Sequence, residues 1–504
     1  MSGFVPARLL GFRSAAPPLK ARHAPPPLLA LLPSSPPQAA QDPTRPNIVY
    51  ILADDLGYGD VHHLNPQRGK IATPNLDRLA ARGLVFTEAH SGSSVCTPTR
   101  YGILTGRYAW RTRLQNGVLH GYSPPLIAPD RLTVPGLLRR HGYTTACIGK
   151  WHLGMDLPRK ADGNPVSQGP LSRGFDRYFG ISASLDMPPF AFIENDRFTE
   201  EPTVEKEWLR KGAAAPGFEA VDVLPELIRH AGAFLRERVA AKTPFFLYLP
   251  LNSPHTPLVP APAWRGKSGL GDYGDFVMQT DAAVGEVLRT LDELAAAANT
   301  LVIFTSDNGC SPAAGVERLE QQGHFASANR RGYKADIFDG GHRIPFIARW
   351  PAVVKAGTTN DQAVCLTDLM ATCADLVGTK LPDNAGEDSF SLLPVLRGTG
   401  PSAREAVVHH SINGSFALRQ DKWKIALCAD SGGWSKPGPK EAAGLPKIQL
   451  YDTESDPGET RNLADLQPET RNRLTLLLEK IVNDGRSTPG LPQKNDVQVS
   501  IRKT

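Results

Sequence analysis

Continuous apolar runs of about seven residues recur along the chain and alternate with helical patterns. An apolar run without alternation is typical of a strand that is covered on both faces. The runs are NIVYILA (47–53), YTTACIG (143–149), FFLYLPL (245–251), TLVIFTS (300–306) and PFIARWP (345–351). They predict the strands of a sheet buried between two layers.

Helical segments separate these runs. Thr73 and Pro74 are typical of a helix start, and Gly83 lies just beyond the predicted end of that helix. Further helices are predicted over 134–142, 220–241 and 278–298. Strands that alternate with helices predict an α/β fold, a large α/β/α sandwich around a mostly parallel sheet.

The last hundred residues show a different pattern. EAVVHHSI, FALRQDKWKIALC and IQLYD predict short strands, and PETRNRLTLLLEKIVNDG predicts one helix. We therefore predict a catalytic domain over residues 46–395 and a small subdomain over 396–504, with an antiparallel sheet and a packed helix.

Residues 1–45 are rich in proline and alanine and are predicted to be disordered or cleaved. Basic residues, a short apolar piece and small residues follow one another, which resembles a secretory leader and predicts a periplasmic, extracellular or lysosome-like location. Residues 1–46 hold five basic residues and one acidic residue, a net +4 of the formal +5. The rest of the chain is nearly neutral, so a nucleic-acid partner is not indicated.

The amino-acid composition limits the classes of protein to which the chain can belong. Of the 504 residues, 41% are hydrophobic and 21% are charged, as in a soluble globular protein. The sequence has no run of about 18 apolar residues, so no membrane span is predicted. Six cysteines show no CxxC pair and no zinc spacing, so most are expected in the core and one or two disulfides stay open.

Polar residues follow the apolar runs at the point where the predicted strands end. Asp54 and Asp55 follow the first run, and Asp307 and Asn308 follow the fourth. Ligands bind at the carboxyl ends of the strands in such sheets, and close carboxylates repel unless a cation lies among them. Oxygen donors favour calcium or magnesium over zinc, although each pair alone is also typical of a turn.

Cationic and titratable residues suggest an oxyanion site beside this cation. Arg100 lies one helical turn after Cys96 in CTPTR, and Lys150 and Lys334 are further candidates. His152 and His255 follow strands and fit either a proton shuttle or a buried core position. A buried structural cysteine and surface lysines remain the alternative interpretation.

These motifs, in this order, resemble the type I sulfatase family, which has the alkaline-phosphatase-like fold. CTPTR (96–100) is similar to the C-x-P-S/A-R signature, with Thr99 in place of Ser or Ala, and GYTTACIGKWH (142–152) is similar to the second signature. The other similar blocks are PNIVYILADDLGYGD, PNLDRLAARGLVFTEAH, FTSDNG, DGGHRIPFIARWP and LYDTESDPGETRNLA. The resemblance covers residues 45–485.

The resemblance implies a nucleophile and a metal. Cys96 would be oxidised to formylglycine (3-oxoalanine) by a maturation enzyme, and one hydroxyl of its hydrate would attack sulfur. Arg100 would fix this group. The second hydroxyl would then lose a proton and expel sulfate. Calcium would be held by Asp54, Asp55, Asp307, Asn308 and the residue at position 96.

The resemblance also implies the substrate contacts. Lys150 and Lys334 would bind sulfate oxygens, His255 with Lys334 would protonate the leaving alkoxide, and His152 would take the proton in the elimination. Ser184 in GISAS is a further sulfate contact by the same resemblance. His342, after DGG, is a candidate sugar contact or an ordinary packing residue.

The predicted activity is removal of sulfate from a sulfated carbohydrate. Alternatives are an arylsulfatase on simple aryl sulfates, a phosphomonoesterase or phosphodiesterase of the same fold, and a non-catalytic protein that binds sulfated glycans. The phosphoesterase alternative predicts zinc or manganese and turnover without modification of Cys96, and Asn308 disfavours it.

Overall fold

A ten-stranded sheet forms the centre of the structure, a computed structural model that describes residues 45–158 and 165–502. All but one residue of the predicted leader lies outside these ranges. The strands of the chain are β1 (Asn47–Ala53), β2 (Leu84–Phe86), β3 (Ala89–His90), β4 (Thr144–Lys150), β5 (Arg177–Ile181), β6 (Ile193–Glu194), β7 (Arg197–Phe198), β8 (Val204–Trp208), β9 (Arg210–Ala214), β10 (Phe245–Pro250), β11 (Thr300–Ser306), β12 (Phe346–Arg349), β13 (Thr358–Asn360), β14 (Val364–Cys365), β15 (Val407–His410), β16 (Phe416–Gln420), β17 (Trp423–Ala426) and β18 (Gln449–Asp452).

Ten α-helices are found within the described residues. They are α1 (Pro74–Ala81), α2 (Cys96–Thr105), α3 (Val134–Arg140), α4 (Val223–Ala241), α5 (Gly271–Glu293), α6 (Val316–Gln321), α7 (Asp339–His342), α8 (Leu369–Leu376), α9 (Leu393–Arg397) and α10 (Pro468–Asn483).

The order of the large sheet is β13-β2-β12-β11-β1-β10-β4-β5-β6-β7. Its central strands β11, β1, β10, β4 and β5 are parallel, whereas β12 pairs antiparallel with β11. Ala53 pairs with Ser306, so the residues that follow, Asp54 and Asp307, leave the sheet side by side. The register therefore delivers two predicted ligands from opposite parts of the chain to one edge.

Two apolar layers enclose this sheet. Along β1, Val49 and Ile51 face a layer with residues of α1, α4 and α5, whereas Ile48 and Tyr50 face a layer with residues of α2, α3 and α8. Full burial of one such aliphatic side chain stabilises the fold by about 1.5–3 kcal/mol. The predicted α/β/α sandwich is confirmed.

The C-terminal part forms a second sheet. β15, β16, β17 and β18 pair antiparallel in this order, and α10 packs on them in a cluster that includes Tyr108 and Trp110. The predicted antiparallel sheet with a packed helix is confirmed. The boundary between residues 395 and 396 stays a prediction, and it falls within α9.

Some elements differ from the sequence interpretation. The helix predicted over 278–298 begins at Gly271 and ends at Glu293, because Tyr273 and Phe276 extend its buried face. Strands β6 to β9 have only weak apolar patterns, and the sequence analysis did not predict them. None of the six cysteines, all of which lie within the described residues, forms a disulfide. In the described part of the chain, no helix is long and apolar enough to cross a membrane.

Candidate active site

The carboxylates that follow β1 and β11 meet at the carboxyl edge of the sheet. The Asp55 backbone N–H donates to Asp307 Oδ1 over 3.2 Å, and Asn308 Nδ2 donates to Asp55 Oδ1 over 2.8 Å. All four predicted ligands, Asp54 included, are buried. The structure thus brings together the oxygen donors that the sequence had singled out.

Beside this edge of the sheet, two glycines allow two backbone segments to pack directly against each other. A Cβ on Gly309 would lie 1.9 Å from the carbonyl oxygen of Gly340, at the start of α7. No larger residue fits there without moving the backbone, so Gly309 lets the turn after Asn308 lie against the DGG segment.

Cys96 begins α2 and lies against the same carboxylates. Its Sγ is 3.5 Å from Asp54 Oδ1 and 4.0 Å from Asp55 Oδ1. Burial raises the pKa of the Cys96 thiol far above its ordinary value, and the charge of Asp307 adds to this. An unmodified thiol here stays protonated and is a poor nucleophile.

The Thr99 hydroxyl, where the signature has Ser or Ala, donates to the Ser93 carbonyl oxygen over 2.9 Å. This hydrogen bond satisfies the buried hydroxyl within the turn before α2.

Three cations face these carboxylates. Lys150 Nζ donates to Asp54 Oδ2 over 2.6 Å, and Lys334 Nζ donates to Asp55 Oδ2 over 2.7 Å. Arg100 donates through Nε and Nη2 to Asp307 Oδ2 at 3.1 and 2.8 Å. The predicted oxyanion-binding residues therefore surround the acidic cluster beside Cys96.

The charges shift the acidities of the aspartates in opposite directions. Burial alone would raise the pKa of Asp54, but Lys150 and the other cations hold it well below its usual range. Burial and the charge of Asp54 raise the pKa of Asp307 to about 6, against the effect of Arg100. A divalent cation among these oxygens would relieve that repulsion.

The donor set fits a hard cation. Ligand atoms of Asp54, Asp55, Cys96 and His255 lie within 4.8 Å of one another. Asn308 Oδ1 is buried and has no hydrogen-bond partner among the described residues, as expected of an oxygen that ligates a metal. Carboxylate and amide oxygens are the ligands of calcium and magnesium.

The two predicted histidines lie at this centre as neutral rings. His152 Nε2 lies 2.7 Å from the carbonyl oxygen of Leu119, which only accepts, so Nε2 carries the proton. His152 Nδ1 is buried, without a hydrogen-bond partner in the described parts of the chain. Burial, with Lys150 and Arg100, holds the pKa of His152 well below its ordinary value. Nδ1 is thus a free proton acceptor.

His255 lies on the other side of the acidic cluster. Its Nε2 is 3.6 Å from Asp55 Oδ2, and its Nδ1 is 2.5 Å from the Thr256 carbonyl oxygen. Burial lowers the pKa of His255, and Lys334 lowers it further. Because the carbonyl fixes the proton on Nδ1, Nε2 points its lone pair to the centre.

The backbone is strained at three points of this centre. Asp55, His152 and Ala335, the residue after Lys334, adopt φ values of 64°, 57° and 81°. Left-handed backbone at residues other than glycine costs about 1–3 kcal/mol each and clusters at functional sites. The fold therefore tolerates strain where it positions these side chains.

Ser184 and His342 have other surroundings. Ser184 is buried shortly after β5, and its hydroxyl has no hydrogen-bond partner among the residues described. The His342 ring stacks on His409 at 4.2 Å, and its Nδ1 lies 3.1 Å from the Ser91 carbonyl oxygen. Roles of both residues in substrate binding stay predictions.

Sequence reasoning missed a buried network that supports the centre. Asp60 accepts from Tyr273 OH over 2.5 Å and lies 2.8 Å from His324 Nε2. The Tyr273 hydroxyl is also 3.4 Å from the Asp55 carbonyl oxygen. The one sequence signal for this network is the position of Asp60 within DLGYGD. Its partners lie over 200 residues away, so no local pattern indicates them.

Fold and centre together define a class of protein, a hydrolase of oxyanion esters with a cation site at the carboxyl edge of an α/β/α sandwich. The Sulfatase family model matches residues 46–379. An N-acetylgalactosamine-6-O-sulfatase of Bacteroides thetaiotaomicron is 35% identical over 88% of this chain and 94% of its own. Human arylsulfatase A is 33% identical over 83% of each chain.

A solved structure shows the same likeness. It comes from work on the metabolism of multiple glycosaminoglycans by Bacteroides thetaiotaomicron, is 32% identical, and covers 87% of this chain and 99% of its own with a TM-score of 0.78. The chain belongs to the sulfatase family, and the resemblance predicted from its motifs is confirmed. It is a sulfuric ester hydrolase, so the non-catalytic and phosphoesterase alternatives fall.

Proposed function

We propose that the protein removes a sulfate ester from a sulfated carbohydrate, with 6-O-sulfated N-acetylgalactosamine as the first substrate to test. The observation that carries the mechanism is the approach of Lys150, Lys334 and Arg100 to three buried aspartates beside residue 96. The name of the 35% identical relative, an N-acetylgalactosamine-6-O-sulfatase, supports the choice of this sugar. The arylsulfatase relative makes an aryl sulfate the second candidate.

The donor set supports a hard cation, and the resemblance of CTPTR (96–100) to the sulfatase signature supports a modified cysteine. Asp54, Asp55, Asp307 and Asn308 would hold calcium beside a formylglycine made from Cys96. When present, these groups supply a Lewis acid for a sulfate oxygen and a hydroxyl nucleophile. Since Cys96 is only 2% exposed in the folded chain, its maturation enzyme must reach it before folding is complete.

The side chains of the protein then bind the sulfate and move protons. Lys150 and Lys334 would bind sulfate oxygens, and Arg100 would orient residue 96 from the next turn of α2. His152 accepts a proton at Nδ1, because its Nε2 is fixed on Leu119. Lys334, as an ammonium, delivers a proton to the leaving alkoxide, and His255 shares this role once its Nε2 has taken up a proton. General acid catalysis of this kind contributes about 10²–10⁴-fold. The resemblance of residues 1–45 to a leader supports an exported protein.

Two measurements test this function. The protein is produced with a formylglycine-generating enzyme, and mass spectrometry of the peptide with residue 96 is expected to show conversion. Sulfate release is then measured from N-acetylgalactosamine 6-sulfate, an aryl sulfate and a phosphate monoester. We expect turnover of the sulfated sugar that exceeds turnover of the phosphate monoester. A converted residue 96 with no sulfate release from the sugar contradicts the proposal.

A further inference from the structure

The segment that carries Lys334 is covered by a loop from the C-terminal sheet. The Ile337 N–H donates to the Ser431 carbonyl oxygen over 2.7 Å, and the Trp434 N–H donates to Asp336 Oδ1 over 2.9 Å. A Cβ on Gly433 would lie 2.4 Å from the Ala335 carbonyl carbon, so the two backbones are in direct contact. Residues 431–435 therefore lie on the backbone that positions Lys334.

The turn between β15 and β16, which is hydrogen-bonded to this loop through Asn413 N–H and the Gly432 carbonyl oxygen over 3.3 Å, connects the Lys334 segment to the residues that hold His152. The Ile412 N–H donates to the Ala335 carbonyl oxygen over 3.1 Å, and the Ile412 carbonyl oxygen accepts from Gly117 N over 2.7 Å. Two residues further on, Leu119 holds the His152 ring. We call residues 115–119, 411–415 and 431–435 the rim, because hydrogen bonds join them to both sides of the buried centre.

Trp434 is the exposed aromatic side chain of this rim. Its relative exposure is 55%, whereas the other exposed large apolar side chains described after residue 400, Leu445, Leu466, Leu476 and Leu491, are aliphatic. Indole rings are highly buried on average, so an exposed one leaves apolar area in contact with water. The adjacent Ser435 N–H also donates to Asp336 Oδ1, which fixes the backbone on both sides of the ring attachment.

A fixed, exposed indole suits one kind of ligand here. The C–H face of a pyranose ring is apolar and slightly positive, and it packs against the electron-rich face of an aromatic ring. The centre itself is deep, since Lys150 and His152 are at most 1% exposed and Lys334 is 5% exposed. Because the sulfate group would bind at this buried centre, the rest of a longer substrate must extend outward, toward the surface to which the rim belongs.

We propose that Trp434 is the stacking platform for a sugar ring next to the one that carries the sulfate, so that the preferred substrates are sulfated oligosaccharides. This inference rests on the proposed function and names its substrate class. Binding of the neighbouring sugar lowers KM and leaves the chemistry at residue 96 unchanged. Trp434 is therefore a specificity-determining residue for chain length and does not contact the reacting atoms.

The test compares three substrates in wild type and Trp434→Ala. We expect kcat/KM for a 6-O-sulfated tetrasaccharide to fall about 10-fold, mainly through KM, because the aromatic face that packs against the neighbouring sugar is lost. Turnover of the sulfated monosaccharide and of an aryl sulfate is expected to stay within about twofold. Trp434→Phe, which keeps an aromatic face, should recover most of the loss. Leu476→Ala, exposed on α10, is the matched control and should change none of these values.

A binding measurement separates this inference from the proposed function. In a Cys96→Ala background, calorimetry should show that Trp434→Ala weakens tetrasaccharide affinity about 10-fold and leaves monosaccharide affinity unchanged. An equal loss on all substrates assigns Trp434 to support of the Lys334 segment and overturns the inference, as does no loss at all. Wild-type protein with converted residue 96 that releases no sulfate from any sugar refutes the proposed function, whereas tetrasaccharide affinity still decides the role of Trp434.

Discussion

Two buried clusters of the molecule have the residue types of a metal site, but they differ in charge. The centre has Asp54, Asp55, Cys96 and His255, and the junction cluster, where α7 and β3 meet the C-terminal sheet, has His90, Asp339 and His409. In both, ligand atoms lie within 4.8 Å of one another. Only one of them has the surroundings that a divalent cation needs.

Cations already neutralise the junction cluster. Asp339 Oδ2 is 3.1 Å from both Arg343 Nη2 and Arg330 Nε, and His409 Nε2 lies 3.2 Å from His90 Nδ1. Four cations face three carboxylates there: Arg330, Arg343, Arg419 and Lys424 against Glu88, Asp339 and Glu459. A further divalent cation would add buried positive charge without compensation.

At the centre three cations face three aspartates, and the amide oxygen of Asn308 is left without a partner in the described ranges. A divalent cation and a sulfate group add charges of opposite sign, so both enter together at low electrostatic cost. The comparison shows that ligand types alone do not define a metal site. The charge balance of the surrounding side chains decides.

The largest effect is expected from loss of the thiol at the centre. Cys96→Ala should lower sulfatase kcat/KM at least about 10³-fold, because the nucleophile cannot form. The melting temperature should change little, since among the described residues the hydrogen-bond contacts of Sγ are the two with Asp54 and Asp55. Cys373→Ala, in the buried face of α8, is the control: it should cost about 1 kcal/mol of stability and retain kcat. Full activity of Cys96→Ala would refute the assignment of the centre.

Loss of one carboxylate at the junction should affect stability instead of catalysis. Asp339→Asn leaves Arg343 and Arg330 with less compensation and should lower the free energy of unfolding by about 3–5 kcal/mol in chemical denaturation. The kcat of the folded variant should stay within about threefold of wild type. A large loss of kcat at unchanged stability would instead place Asp339 in the catalytic machinery.

Removal of divalent ions distinguishes the two clusters directly. Calcium at about 100 times its dissociation constant should stabilise the protein by about 2.7 kcal/mol relative to chelator, as read from thermal unfolding. Asp307→Asn should reduce this shift, and His409→Gln should leave it unchanged. If the stabilisation by calcium disappears in His409→Gln and persists in Asp307→Asn, the metal site lies at the junction and not at the centre.

The last expected effect is a pH dependence from the junction. Burial, with Arg343, lowers the pKa of His90 to about 4, whereas an unfolded histidine titrates near 6.5. Below pH 6.5 the unfolded chain binds a proton that the folded chain does not, so stability falls as the pH drops from about 6.5 to about 4, by up to about 3 kcal/mol. His90→Gln should show a shallower loss in denaturation curves over this range. An identical slope in the variant contradicts the neutral state of His90.

Strong local patterns made the sheet and the meeting of its strand-end carboxylates predictable. The run NIVYILA is apolar on both faces, and Asp54 and Asp307 stand directly at strand ends, so topology alone brings them together. The position of His342 against His409 depends on how the C-terminal sheet docks, and no local pattern encodes that. The rim around Trp434 was missed for the same reason, since its hydrogen bonds join residues about 100 positions apart.

The pairing of β1 with β11 joins residues that are about 250 positions apart in the chain. Contacts of such long range form late, because a large loop must close before they stabilise anything. A growing chain that ends before residue 300 lacks Asp307 and Asn308, so it cannot complete the aspartate cluster beside Cys96. If Cys96 is modified as we propose, the interval before β11 pairs with β1 is the time in which a modifying protein would act.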